Sequence, residues 1–449
     1  MGEIVVVQGT AVQGTVLGGD SSPHAAPSYD ANFSKGEKQE TKCRDPIFAL
    51  LLYANLIAIA VVVVIFQKEA LSVVGSNSNT DEDFSGYIYA GLICGAFAMI
   101  FSGLMLIVMM WIPSFLIKTS LIFVVALSGA WAVFGFLVGN IIVGIFGAVF
   151  FLLGICYARA VWPRIPFATA NLVTGCTAIR GNCGVIFASF LFEILAFAWT
   201  ILWCLACFGT FANTYSCEVI NGREICTSVN YGYLFLLLLS FFFTHQVIQN
   251  TVHVIVAGTV GSWWFAPEDS GCCSAGILGS TIRYDIFLGV MISLFLYCSL
   301  TQYLVSRSTY SALTTSFGSI CFGSLIVAII QALKSLAQQA RENGDAGILA
   351  CIAEWILACL QSLVEYFNKW AFIYVGLYGY SYLEAGKNVI TLFKNRGWDA
   401  IIADDLIGNV LFLVSIIVGG LTGVVGIIVQ STSPLLDNAP GNQTAIAFG

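Results

Sequence analysis

Charge is what this 449-residue chain has least of: Asp, Glu, Lys and Arg make up 10% of it, against roughly 25% in an average soluble domain. With 58% hydrophobic residues, the chain has too little polar surface to wrap its apolar mass. A soluble globular class is excluded, and a polytopic membrane protein is indicated. The 44 glycines include no GxGxxG or GKS/GKT loop after a strand pattern, so energisation by bound nucleotide is unsupported. HExxH, a nucleophile elbow and paired intramembrane carboxylates are also missing, which argues against an enzyme. Most of the fifteen cysteines stand singly in apolar runs, where a thiol behaves as a small hydrophobe. Cys272 and Cys273 are adjacent with no His nearby, so neither a metal site nor a cofactor is expected. Nucleic acid is not expected as a partner either. The net charge of -7 says little more, because position rather than sum governs charge in a membrane protein.

Residues 1–46 lack the apolar core of a secretory leader and carry Pro23, Pro27 and Pro46. They read as a disordered cytoplasmic tail. Beyond them, the fold class is all-α, a transmembrane helical bundle. Stretches of the roughly 20 apolar residues that a spanning helix needs fall at 47–66, 87–110, 115–136, 139–158, 185–211, 233–261, 285–306, 312–334 and 406–429, which gives nine spans. A tenth candidate, 370–390, is interrupted by Glu384 and Lys387 and by four tyrosines.

Lys and Arg concentrate on the cytoplasmic side. With the N-terminus inside and 370–390 not crossing, fifteen of the eighteen Lys and Arg residues lie inside, leaving Lys68, Arg223 and Arg307 outside. If 370–390 crossed, Lys387, Lys394 and Arg396 would change sides and the bias would weaken to 12 against 6. The expected organisation is therefore a tail over 1–46 and eight spans over 47–337. A cytoplasmic amphipathic region over 338–405, a last span over 406–430 and a polar tail over 431–449 complete it. The loop 212–232 is then outside, where Cys217 and Cys226 flank a short polar turn and are expected to form a disulfide. Asn442-Gln443-Thr444 forms a glycosylation sequon on the same side.

Gly91/Gly95, Gly135/Gly139 and Gly419/Gly423 are GxxxG pairs, and Thr315/Ser319/Gly323 is a small-residue stripe. Both let helix backbones approach closely in lipid. Polar groups at membrane depth usually face a bundle interior or a pathway. In 233–261, Gln246, Gln249, Asn250 and His253 share one helical face, which Ala257 and Gly261 continue. One face of that kind suits both a substrate-path wall and a set of interhelical hydrogen bonds. Glu193 is an acid near the centre of 185–211. Trp199 and Trp203 share a face roughly 100° away from it. Glu193 suits a counter-charge to a cation or a protonated carboxyl in a helix interface. The tryptophans suit either π faces for a quaternary ammonium or packing and interfacial anchoring. A second partly polar face in 285–306 includes Tyr303, with Tyr297 adjacent to it.

The segment Glu365 to Leu406 is too polar for an ordinary span. Together with His245 to Phe265 and Ser316 to Ile330, it resembles the choline transporter-like family, especially its fungal and plant-like branch, over roughly residues 45 to 430. The resemblance implies an α-helical plasma-membrane protein, usually of ten spans with both ends cytoplasmic, that moves choline or related amines. Where the family continues after 406–429 into one more hydrophobic helix, this sequence has Ser431 to Gly449. The expected function is transport of a small organic cation, with Glu193, Trp199, Trp203, Gln246, Gln249, Asn250, His253, Tyr297 and Tyr303 as candidate binding residues among the fifth to seventh spans. The other reading is a non-transporting membrane scaffold whose 338–405 region docks partners or lipid.

Overall fold

The computed structural model describes residues 39–75, 84–182, 184–214, 217–220, 223–226, 231–265, 303–342 and 347–432. Helices dominate: α1 (Pro46–Gly75), α2 (Phe84–Trp111), α3 (Pro113–Leu137), α4 (Ile141–Val161), α5 (Ile165–Gly181), α6 (Gly184–Thr214), α7 (Tyr231–Phe265), α8 (Tyr303–Leu313), α9 (Phe317–Glu342), α10 (Gly347–Tyr378) and α11 (Tyr382–Thr432). A two-stranded antiparallel ribbon, β1 (Cys217–Ile220) and β2 (Arg223–Cys226), lies between α6 and α7. Nine helical stretches among the described residues are long and apolar enough to cross a bilayer. Local sequence marks the helix ends. Pro113 opens α3 where a missing N–H costs nothing. Gly139, at φ +77°, reverses the chain between α3 and α4, and Asn140 caps α4 by accepting from the Val143 amide at 3.3 Å.

Eight of the nine apolar stretches coincide with expected spans. The ninth is Leu349–Tyr378, which lies in the region expected to stay in the cytoplasm. It is one long helix whose Asn368, Ala371, Phe372 and Val375 are buried. Charged and amide residues concentrated on one face of α10 lowered its apparent apolarity. The expected span 285–306 lies almost wholly outside the described residues, as do most of the 1–46 tail and Asn442.

The chain forms two compact units. One contains residues 77–177 and 396–449. Its core joins Ile117, Leu121, Ile165 and Ala168 to Leu406 and Val410 of α11. Its α3–α4 hairpin is so close at Gly135 that an added Cβ would lie 2.4 Å from the Gly144 amide nitrogen, whereas a Cβ on Gly139 would meet nothing within 4 Å, so of the Gly135/Gly139 pair Gly135 has the packing role.

The other unit contains 1–76 and 178–395 and holds α1, α6 to α10 and the start of α11. Residue pairings fix its helix directions. α6 and α7 are antiparallel, through Trp203 with Leu237 and Thr210 with Tyr233. α7 and α9 are also antiparallel, because Gln246 meets Gln331 and Asn250 meets Ser324. α9 and α10 form an antiparallel hairpin zipped by Arg341 with Glu354, Lys334 with Gln361 and Gln331 with Glu365. α7 and α10 run parallel and come closest at glycine. A Cβ on Gly376 would lie 2.8 Å from the Val254 carbonyl oxygen. The charge count ran 233–261 and 312–334 in the same direction; here the corresponding helices, α7 and α9, are opposed.

Candidate functional site

Helices α7, α9 and α10 enclose a cavity of about 520 Å³ near their mid-lengths. α7 contributes Phe241, Phe242, His245, Gln246, Gln249, Asn250 and His253. α9 contributes Val327 and Gln331, and α10 contributes Glu365, Asn368 and Lys369. The four-residue polar face read from the sequence of 233–261 is thus the α7 wall. It also bonds between helices. Asn250 donates to Ser324 Oγ at 2.9 Å, and Gln246 donates to Gln331 at 3.4 Å. His253 Nε2 lies 3.0 Å from the Lys369 carbonyl oxygen.

Glu365 is the acid of the cavity. Gln361 donates to it at 2.8 Å and Gln331 at 3.3 Å, so two neutral amides orient the carboxylate without cancelling its charge. Glu365, Lys369 and Gln249 are exposed at the cavity rim, whereas Asn368 is 3% exposed. Asn368 donates to the Gly323 carbonyl at 3.0 Å and accepts from the Tyr382 hydroxyl in a short bond. Burial pushes the Tyr382 phenol up to about 12, so it remains a donor at physiological pH. His245 Nδ1 is buried with no hydrogen-bond partner among the described residues. An orphaned polar atom of this kind costs roughly 1–3 kcal/mol, and this one belongs to a cavity wall.

The other expected residues are placed differently. Glu193 is exposed on α6 and does not line the cavity. Trp199 is buried beside Ile59 and Ala206. Trp203 stands one layer behind the wall, donating its indole N–H to the Leu237 carbonyl at 2.9 Å. Its ring lies 4.7 Å from Phe241, which stacks at 5.9 Å on His245. Tyr297 and the Tyr303 side chain lie outside the described residues. Of the fifth to seventh spans named as the path, the sixth alone supplies lining residues among those described.

His245, Gln331, Glu365, Asn368 and Lys369 were not among the expected residues. Their signal was available: Gln361, Glu365 and Asn368 share a face at four- and three-residue steps. The same face suits the polar side of an interfacial helix.

At the start of α11, Ser381 donates its amide and hydroxyl to Glu384 at 3.1 and 2.8 Å. The two bonds, led by the hydroxyl, hold the Glu384 carboxyl below the usual range. Ser381 and Glu384 occupy the N-cap and N3 positions, and the carboxylate-to-amide half of a capping box is formed.

Residues 141–448 match a family model described as "Plasma-membrane choline transporter". Among individual relatives, a "CTL-like protein" of Dictyostelium discoideum is 29% identical over 93% of this chain and 70% of its own length. The Mycosarcoma maydis "Protein PNS1" is 28% identical over 92% and 76%. The Saccharomyces cerevisiae protein of that name is 28% identical over 67% and 54%.

Proposed function

The chain belongs to the choline transporter-like family, and on that premise we propose that it carries choline or a related small organic cation across the plasma membrane by way of the cavity between α7, α9 and α10. The observation that carries this reading is the composition of that cavity. A quaternary ammonium has no proton to donate, so it is recognised by π faces and by nearby negative charge. Phe241 and Phe242 supply the first and Glu365 the second, partly offset by Lys369 in the same lining. The amides of Gln246, Gln249 and Asn250 can serve a hydroxyl. The site also sits near the middle of three long helices, the depth at which carriers hold substrate. A membrane potential favours cation entry by about 2.3 kcal/mol per charge per 100 mV, so uptake needs no nucleotide.

The orientation proposed is N-terminus inside. Taking the nine observed stretches as the crossings returns Arg307 to the cytoplasm and moves Lys334 and Arg341 outside, a bias of 14 against 4. That bias nearly equals the 15 to 3 of the first scheme. The β ribbon is then extracellular. Cys217 and Cys226 are register partners across it, and opposed residues in such a ladder have Cα separations of about 4.5–5.5 Å, within the range a disulfide spans. A Cys217–Cys226 bond is therefore part of the proposal.

Uptake of radiolabelled choline by cells expressing the chain tests the function. Saturable uptake above empty vector is expected, and uptake equal to vector overturns it.

A further inference from the structure

Gln249, Glu365 and Lys369 of the cavity lining are exposed, whereas Asn368 is buried. Beyond Asn368 the start of α1, the start of α9, the end of α10 and the start of α11 meet. The Asp45 carboxylate accepts from Ser319 Oγ at 2.7 Å and from the Tyr382 amide at 3.2 Å. It thereby ties the residue before α1 to α9 and to the first residue of α11. Asp45 adopts φ +50°, a left-handed conformation that an Asp side chain accommodates at some cost. Its neighbour Arg44 donates its amide to the Thr315 carbonyl at 2.9 Å. Backbone seals this contact, since a Cβ on Gly318 would lie 2.2 Å from the Arg44 carbonyl oxygen. Ser319 and Gly323, two members of the small-residue stripe, thus receive Asp45 and the Tyr382 ring. Tyr382 then reaches through its hydroxyl to Asn368, which is itself a wall of the cavity. Phe322 and Phe372 pack on the Tyr382 ring at 4.9 and 6.1 Å.

We propose that Asp45 and Tyr382 form the closure of this end of the cavity, acting as positioning residues that hold Asn368 in the wall and bar passage between α1, α9 and α11. Each bond in the chain has a specific consequence. Loss of the Asp45 carboxylate charge weakens its hold on α9 and α11 together. Loss of the Tyr382 hydroxyl leaves the buried Asn368 oxygen unpaired and frees the wall. The idea rests on the cavity being the transport path, but its test needs no substrate.

The test places a reporter cysteine at the cavity wall, Val327→Cys, and follows its reaction with a membrane-impermeant thiol reagent in right-side-out and inside-out vesicles. Mass spectrometry of the peptide containing position 327 separates it from the native cysteines. Tyr382→Phe keeps the ring and Asp45→Asn keeps the left-handed preference. Tyr382→Phe removes one hydrogen bond outright, and Asp45→Asn exchanges two charge-assisted bonds for weaker neutral ones, so in each labelling from one face should rise about fivefold while the other face is unchanged. Acceleration confined to one face supports the closure, and the face on which it occurs separately tests the proposed orientation. Equal acceleration from both faces, or none, overturns it. Ser319→Ala provides an independent arm if Asp45→Asn protein does not accumulate, and should act in the same direction.

Discussion

Replacing Glu365 with Gln is the most informative single perturbation of the cavity. The change is isosteric, and the retained side-chain oxygen can still accept from Gln361 and Gln331, which now donate at 2.8 and 3.3 Å. Shape and network therefore persist while one charge is removed. A cation about 5 Å from the carboxylate gains roughly 3 kcal/mol at an effective dielectric near 20. Glu365 is exposed at the rim and Lys369 shares the lining, so about half of that, roughly 1.5 kcal/mol, is the sounder expectation. It corresponds to about a tenfold rise in the KM for choline. The assay is initial-rate uptake over a concentration series at equal surface expression. A KM within twofold of the parent, or a fall in maximal rate with KM unchanged, refutes the argument that Glu365 provides the counter-charge. Glu193→Gln is the matched control. Glu193 is exposed on α6 and does not line the cavity, so its KM should stay within twofold of the parent.

Intact-mass measurement under non-reducing conditions should show Cys217 and Cys226 joined, with a 2 Da gain on reduction, and the gain should vanish in Cys217→Ser; free thiols at both positions would contradict the pairing. Gly376→Val places side-chain atoms where the Val254 carbonyl oxygen already lies within 2.8 Å of a Cβ. It should cost several kcal/mol by overpacking and lower the melting temperature in detergent, and an unchanged melt would refute the close approach of α7 and α10. Ser381→Ala should cost about 1 kcal/mol at pH 7 through loss of the hydroxyl's bond to the Glu384 carboxylate. Because the folded Glu384 carboxyl titrates below its usual value, its linked stabilisation is full above that usual value and fades as pH falls towards the depressed folded value. The gap between parent and Ser381→Ala melts should therefore narrow as pH is lowered from 6 to 3, and a gap that widens would reverse the assigned linkage.

Much of the membrane architecture was legible in the residues, for identifiable reasons. Uninterrupted apolar runs such as 47–66 and 406–429 exceed the length that lipid demands, and no other environment satisfies them. The polar face of α7 was equally legible, because Gln246, Gln249, Asn250 and His253 share one side of one helix. Single-helix periodicity cannot report which helices enclose that face. Glu365 was missed for that reason: Leu349–Tyr378 carries Gln361, Glu365, Asn368 and Lys369 on one side, and an interfacial helix and a cavity-lining helix give the same pattern. Glu193 is the opposite case, since an acid inside an apolar run draws attention wherever the helix points it, and here it lies exposed on α6 outside the cavity lining. The charge rule could not arbitrate, because exchanging 285–306 for 349–378 as a crossing shifts only Arg307, Lys334 and Arg341. The segment opening at Glu365, which carries the family resemblance, begins in the cavity wall.

Saturable binding of radiolabelled choline to the purified protein, with the cavity filled by Val327→Phe, tests the central claim most directly. Val327 is 1% exposed and lines the cavity, so the larger ring must occupy space that a ligand would use. The account predicts saturable binding in the parent, its loss in Val327→Phe protein that still gives a cooperative melt, and weakened binding in Glu365→Gln. Saturable choline binding that survives Val327→Phe unchanged would place the site elsewhere and contradict it.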